Sequence, residues 1–355
     1  FYTDYRFAQV FADLKRAPEG IAERVREITG VNLVETRVQA PVRLDVPGFD
    51  DPVRGLLISI PDGRQPTINR LHLREGSLPE AGRSDQVVVS EPFAEAHGLR
   101  AGDRLGAIIN GRFERLVLSG VVLSPEFVYQ IGPADLLPDY QRFGVLWMNR
   151  RALEAAFDMD GAFNSLVITL QAGAPEAPVI DALDRMLAPY GGVGAHGRND
   201  QVSHRILADE LDQMRVMAVI MPTIFLGVAS FLLSVLMARI IGTQRQQVAV
   251  LKAFSYGNPE VALQYGLLTG LIVTVGSVVG VLVCAGAADG MAGIYMEYFR
   301  FPEMSFRLRP QIILLGFAVA GSAAGLGAFR AVRGAVALPP AQAMRPPAPA
   351  RFRQG

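Results

Sequence analysis

The clearest pattern along the chain is a set of three long stretches without a charged side chain, all of which follow residue 215. As a helix of 1.5 Å rise per residue, the first stretch would be about 34 Å long. That is enough to cross a hydrocarbon core of about 30 Å. The pattern therefore predicts a transmembrane domain over residues 216–330, and its three spans are residues 216–238, 261–288 and 311–329.

Before residue 200 the pattern changes, because short alternating stretches typical of strands are mixed with helical ones. Residues 31–46 alternate apolar and polar side chains as one half-buried strand does, and residues 87–89 form a buried strand before a short helix. Asn149 precedes a helical stretch and is expected to cap it. Together these elements predict an α+β domain over residues 1–199, divided into two small lobes. The further strands are expected at 56–61, 112–124, 143–149 and 164–170, and the further helices at 18–30, 151–157 and 175–192.

Two special segments flank the first predicted span. Residues 200–215 carry an apolar stripe that includes Ile206 and Leu211, which predicts a stalk helix continuous with the span. Residues 244–259 follow the span and end at a Gly-Asn-Pro stop. Their apolar residues Val248, Ala249, Leu251, Ala253 and Phe254 alternate with Arg245, Gln247 and Lys252. The pattern alone leaves two interpretations open: an amphipathic helix that passes force across the membrane surface, or an ordinary connecting loop.

The basic residues outside the spans indicate which side each segment occupies. Eight lie in the loop 239–260 and in the segment that begins at Arg330 and continues into the proline-rich tail 331–355. Three lie in the loop 289–310. The positive-inside rule therefore places residues 244–259 and the tail in the cytoplasm, and residues 1–199 outside it. The loop 289–310 is rich in aromatic residues that suit a membrane interface, namely Tyr295, Tyr298, Phe299 and Phe301.

Composition excludes several kinds of function. The formal net charge is zero, so the chain as a whole does not favour nucleic acid. Neither lysine, Lys15 or Lys252, follows a glycine, so the chain has no Walker A motif and does not bind ATP in that way. No histidine lies in a metal-binding spacing, and the residues suggest no catalytic group and no cofactor. Because the spans contain no ionisable side chain, proton- or ion-coupled transport is disfavoured.

Three GxxxG motifs lie within the predicted spans. Such motifs let helix backbones approach closely, so we expect these glycines to pack against neighbouring helices. Glycine is also common in membrane helices by chance, and a specific dimer seam remains the less favoured interpretation. The motifs are Gly266 with Gly270, Gly276 with Gly280, and Gly321 with Gly325.

The order of several short motifs resembles a known family. The stretch from Arg239 to Gly270 contains VLKA and a small-residue turn, GLRAGDRL follows VVVSEPFAEAH, and PPAQAMRPPAP follows the last span. This combination resembles the FtsX-like permeases of ABC transporters, of the MacB and lipoprotein-releasing type. That family has four spans, with the large domain between the first and the second. Residues 1–355 are therefore expected to be a piece of a longer protein that lacks the first span.

The resemblance implies a multi-pass protein of the bacterial inner membrane that works with a separate cytoplasmic ATPase. ATP-driven motion would pass through Arg245, Val248, Leu251, Lys252 and Phe254 to the outer domain, which would export or release an amphipathic, lipid-like or peptide cargo. Further expected partners are a periplasmic adaptor or a second permease copy, and membrane lipid. The alternative is a signalling module that regulates an outer partner without moving cargo. A membrane-anchored enzyme is the third and weakest hypothesis.

Overall fold

The computed structural model describes residues 2–133, 135, 137–254, 256–300 and 309–336. The chain divides into two units, a first with Phe1–Leu211 and Ile294–Met304, and a second with Asp212–Gly293 and Ser305–Gly355. The proline-rich tail 337–355, Phe301 and the side chains of Arg245 and Tyr298 lie outside the described part.

The described strands, numbered in chain order, all belong to the first unit. They are β1 (Val10–Pro18), β2 (Val31–Arg37), β3 (Gln39–Asp45), β4 (Val53–Ile60), β5 (His72–Gly76), β6 (Gln86–Ser90), β7 (Arg104–Ile109), β8 (Arg112–Leu123), β9 (Phe143–Asn149), β10 (Ala162–Leu170) and β11 (Ala195–Gly197). The helices are α1 (Gly20–Arg26), α2 (Glu91–His97), α3 (Arg150–Phe157), α4 (Glu176–Leu187), α5 (Val202–Thr243), α6 (Arg245–Ala253), α7 (Asn258–Tyr298) and α8 (Pro310–Val336).

The first lobe is a four-stranded antiparallel sheet in the order β11-β1-β10-β2. Helices α1 and α4 pack on it. On α4 the buried residues Val179, Leu183 and Leu187 are spaced four apart, so they form one apolar stripe that joins the core of the sheet.

The second lobe is a closed barrel. Its strands follow the order β5-β8-β6-β9-β4-β3-β7, and β7 also pairs with β8, which closes the ring and leaves β5 beside β8. The interior contains alternate residues of these strands, among them Leu57, Leu105, Leu118 and Leu146, all buried. Closure removes most of the exposed sheet edges through which strands would pair with other chains.

The stretch 31–46 was predicted as one strand, and that prediction is wrong. It is two strands in two different sheets, because β2 pairs with β10 whereas β3 pairs with β4. The chain passes from one lobe to the other at Val38, whose N–H donates to Ser59 Oγ at 2.8 Å. The buried residues change from odd positions in β2, Val31 and Arg37, to even positions in β3, while strand-forming residues continue on both sides of Val38.

A buried ion pair joins the lobes at this crossing. Arg37 Nη1 lies 2.6 Å from Glu126 Oε2, and Arg37 Nη2 donates to Ser165 Oγ on β10 at 3.2 Å. Burial lowers the pKa of Arg37, but the adjacent Glu126 carboxylate outweighs it, so the pKa of Arg37 is raised overall and the group stays charged. Removing one partner of such a buried pair costs about 3–5 kcal/mol.

Asn149 occupies the expected N-cap position of α3, but its side chain does not cap the helix. Instead its Nδ2 donates to the carbonyls of Glu80 and Arg83, and its Oδ1 accepts from the N–H of Gly63. The side chain therefore fixes the loop between β5 and β6 rather than the helix end.

The second unit is helical. Within the described residues three helices are long and apolar enough to cross a membrane, over Val202–Thr243, Asn258–Met296 and Pro310–Phe329. The fold class, an α+β domain followed by three such helices, is confirmed.

Candidate functional site

Helix α6 is the short helix between the first two apolar helices, and one of its faces is used within the second unit. Val248 is 6% exposed and Ala249 is fully buried. Val248 contacts a cluster that also contains Met237, Ile241, Val261, Tyr265 and Ala328. The side chain of Val248 is therefore covered within the chain itself, and its contact with a separate ATPase stays a prediction.

The opposite face of α6 is exposed and presents two apolar side chains beside Gln246 and Gln247. Val250 and Phe254 are both exposed, Phe254 at 75%, and they lie four residues apart, one helical turn. Leu251 and Lys252 are half-buried. Phe254 was among the residues expected to contact the ATPase, whereas Val250 was not. The i, i+4 spacing was the available signal for this pair.

Polar contacts fix both ends of α6. Tyr265 Oη donates to Gln244 Oε1 at 3.0 Å, next to the first residue of the helix. At the other end, the N–H of Tyr256 donates to the carbonyl of Leu251 at 3.2 Å, just after the helix. The segment is thus an ordered helix held between α5 and α7, so its exposed face has a defined direction.

The predicted GxxxG glycines do not pack closely against other helices of this chain. A Cβ added at Gly266, Gly270, Gly276, Gly280, Gly321 or Gly325 would meet nothing within 4 Å. The close contact lies instead at Gly327, where a Cβ would come within 2.9 Å of Ser230 Oγ on α5. The packing of these six glycines against neighbouring helices stays a prediction, and Gly327, outside any of the three motifs, was missed.

Four of these glycines share a groove between α7 and α8. Gly266 and Gly270 lie on one side and Gly321 and Gly325 on the other, around a volume of about 660 Å³. A second groove of about 820 Å³ between α5, α7 and α8 is lined almost entirely by apolar atoms, from residues such as Leu226, Leu233 and Ile272.

A second feature is an outer contact cluster in the first unit, formed by residues 295–300 against the base of α5 and the barrel. Phe299 is 7% exposed and packs with Val128 and Leu207. Tyr295 Oη donates to Glu210 Oε1 at 2.7 Å, and the N–H of Arg300 donates to the carbonyl of Val128 at 3.0 Å. Phe299 was expected at a membrane interface; it is instead buried against protein.

This cluster has a consequence for topology. Residues 294–304 belong to the same unit as the strands, although they connect the second and third apolar helices. A connection that packs on the strand-rich lobes lies on the same side of the membrane as they do. Two independent features therefore place the lobes and this connection on the same side of the membrane. One is the set of contacts described above, and the other is the distribution of basic residues.

Among the described residues, no group of three or more His, Cys, Asp or Glu side chains could hold a metal ion.

Two comparisons with sequences found nothing: no protein-family model and no curated protein matches the chain. Among solved structures, the chain is similar to the extracellular domain of the noncanonic ABC-type transporter YknZ from Gram-positive bacteria. The identity is 12% and the TM-score is 0.35, and the match covers 54% of this chain and 98% of that one. The periplasmic region of MacB from Actinobacillus actinomycetemcomitans is similar at 10% identity and a TM-score of 0.35, covering 59% of this chain and 95% of that one.

Proposed function

We propose that this chain is the permease subunit of an ABC transporter, in which a separate cytoplasmic ATPase drives an outer domain through the membrane helices. The observation that carries the proposal is the divided surface of α6. One face is buried in the chain's own helices through Val248, and the other presents Val250 and Phe254 to solvent. An exposed aromatic and aliphatic pair on a short ordered helix is typical of an anchor that fills a partner's pocket.

The partner that we infer is an ATPase. Residues 1–355 contain no Gly-Lys-Ser/Thr, and we propose that the energy of ATP enters through a separate subunit. The positive-inside rule puts α6 on the cytoplasmic side, where ATP is available. An ATPase with a cleft for Phe254 is therefore the partner we infer.

The route to the outer side would be α5. It is one helix from Val202 to Thr243, so it includes the predicted stalk and the first span without a break. Its last turns contact Val248 through Met237 and Ile241. A displacement of α6 would reach α5 through these buried contacts.

The grooves between the helices support an apolar cargo. The larger one, about 820 Å³, is lined by leucine, isoleucine, valine and alanine, which suit acyl chains. We infer that the cargo is amphipathic or lipid-like. The signalling alternative differs in predicting ATPase-dependent changes in the outer unit without any movement of lipid.

Site-specific photocrosslinking tests the proposal. A photoreactive side chain at position 254 should capture a protein that carries a Walker A motif, identified by mass spectrometry from cells that express the full chain. The same group at position 248, which is buried, should capture far less. Capture of no ATP-binding protein at 254, or equal capture at both positions, would argue against the proposal.

A further inference from the structure

The outer side of the barrel carries a basic face on β3, β7 and β8. The registers place Arg43 opposite Ile108, and Ile108 opposite Phe113, so that these three side chains form a row across the strands. Gly106 lies opposite Arg115 in the next outward row, and Arg104 is two residues before Gly106 on β7. Since successive residues of a strand alternate between faces, all of these point away from the barrel core.

The charge of this face is not neutralised. Arg43, Arg104 and Arg115 are exposed, and within the residues that the structure describes none of them forms an ion pair. Asp45 is the one carboxylate in the same rows, so the face carries three positive charges and one negative. The contrast with β4 is informative, because Arg54, directly opposite Arg43, is bound by Asp135 at 2.5 Å.

The face also holds exposed apolar surface. Phe113 is 54% exposed, and Ile108 beside it is exposed as well. A Cβ at Gly106 would lie 3.0 Å from Phe113 Cε2 and 3.0 Å from Asp45 Oδ2, so one edge of the ring approaches the sheet at Gly106, beside the Asp45 carboxylate. A ring that lies on the sheet offers a flat apolar surface. A side chain that inserts into a lipid bilayer would have to project instead.

We propose that this basic face binds an acidic segment of a partner protein. The three unpaired guanidinium groups supply charge complementarity to carboxylates, with which arginine forms bidentate pairs. Phe113 and Ile108 supply the apolar contact between them. The flat ring favours a protein surface over an anionic membrane, which is the other macromolecule that a basic face could meet. This inference rests on the barrel alone and is independent of the proposed ATPase partner.

The test uses the full chain in nanodiscs of zwitterionic lipid. The probe is a fluorescent peptide of alternating Glu and Tyr, with a peptide of alternating Lys and Tyr as its control. Binding is measured by fluorescence anisotropy for the natural chain, for Arg43→Glu with Arg115→Glu, and for Phe113→Ala. The matched control is Arg16→Glu with Arg24→Glu, which reverses two exposed arginines elsewhere in the same unit that have no ion pair among the described residues.

We expect the acidic peptide to bind the natural chain and the matched control equally. The Arg43→Glu, Arg115→Glu variant should bind at least about tenfold more weakly, a loss of about 1.4 kcal/mol. Binding should also weaken as salt shortens the Debye length from about 10 Å at 0.1 M to about 3 Å at 1 M. Phe113→Ala should weaken the binding that remains at high salt.

Three results would overturn the proposal. One is an equal loss of binding in the matched control, which would mean that the bulk charge of the chain, rather than this face, binds the peptide. Another is no effect of the Arg43→Glu, Arg115→Glu variant. The third is binding of the natural chain to phosphatidylglycerol vesicles, lost in that variant, without binding of the acidic peptide, which would assign the face to a membrane.

Discussion

Arg300 and Glu95 form an ion pair with an N–O distance of 2.6 Å, although 205 residues separate them in sequence. Arg300 follows the second apolar helix, and Glu95 lies in α2 beside the barrel. Arg300 is mostly buried, and its guanidinium also lies over the ring of Tyr140. The pair therefore fixes the connection between the second and third helices to the first unit, next to the buried Phe299.

The first prediction concerns the strength of this attachment. Phe299→Cys in a Cys284→Ala background should react slowly with a thiol reagent, because position 299 is buried. Adding Arg300→Glu places two negative charges together and should speed labelling by up to about fivefold, since exposed ion pairs contribute about 0.2–1 kcal/mol. A further Glu95→Arg should restore slow labelling. If it does not, the pair does not hold the connection.

The second prediction concerns sidedness. Arg100→Cys and Gln247→Cys, each in the Cys284→Ala background, place exposed thiols on the barrel lobe and on α6. A membrane-impermeant reagent should label position 100 once the outer envelope is permeable, and position 247 only after the inner membrane is opened. Labelling in the reverse order would invert the assignment of sides.

The third prediction distinguishes two glycines of α8. At Gly327 an added Cβ would come within 2.9 Å of Ser230 Oγ, whereas at Gly325 it would meet nothing within 4 Å. Gly327→Ala should lower the free energy of unfolding by about 1–3 kcal/mol, the usual cost of overpacking. Gly325→Ala should leave it unchanged or raise it slightly. Thermal unfolding in detergent measures both, and equal effects would mean that α5 and α8 do not pack at Ser230.

Much of the fold could be predicted from the sequence because its signals are local. Long apolar stretches without charge predict the three long helices, and short apolar stretches predict strands such as β9 and β10. The features of the fold that could not be predicted depend on which distant element a residue contacts. Strand-forming residues continue on both sides of Val38, and the strands that pair with β2 and with β3 are distant in sequence, so nothing local shows that β2 and β3 belong to different lobes.

The candidate site shows the same limit. The amphipathic pattern of residues 244–259 predicts a helix with an apolar face, but not which side is already covered. Val248 is buried only because Met237 and Ala328 approach it from other helices. Likewise, GxxxG marks glycines that could allow close approach, whereas the close approach in this chain occurs at Gly327, where Ser230 happens to lie. The attachment of residues 295–300 to the barrel has no sequence signal that we recognise.

The fourth prediction concerns α5 as a lever. Inserting two glycines after Asp212 interrupts the continuous helix, because each glycine in a helix interior costs about 1 kcal/mol and adds flexibility. ATP hydrolysis by the partner should persist while transport or signalling falls. Two alanines inserted at the same point are the control for length and register, and they should impair activity less. Unchanged activity in the glycine variant would mean that α5 does not transmit motion.

The central claim is that the exposed face of α6 binds an ATPase. Val250→Ala with Phe254→Ala removes the two exposed apolar side chains and leaves Val248 in place. Truncating a buried interface anchor commonly costs about 2 kcal/mol or more. The control is Gln246→Ala with Gln247→Ala, which changes two exposed polar residues of the same helix.

The direct measurement is the yield of the ATPase that co-purifies with the tagged full chain, compared at equal amounts of membrane-inserted protein. The account predicts that the Val250→Ala, Phe254→Ala variant loses the ATPase whereas the glutamine control retains it. Recovery of the ATPase at the natural yield with the Val250→Ala, Phe254→Ala variant would contradict the account.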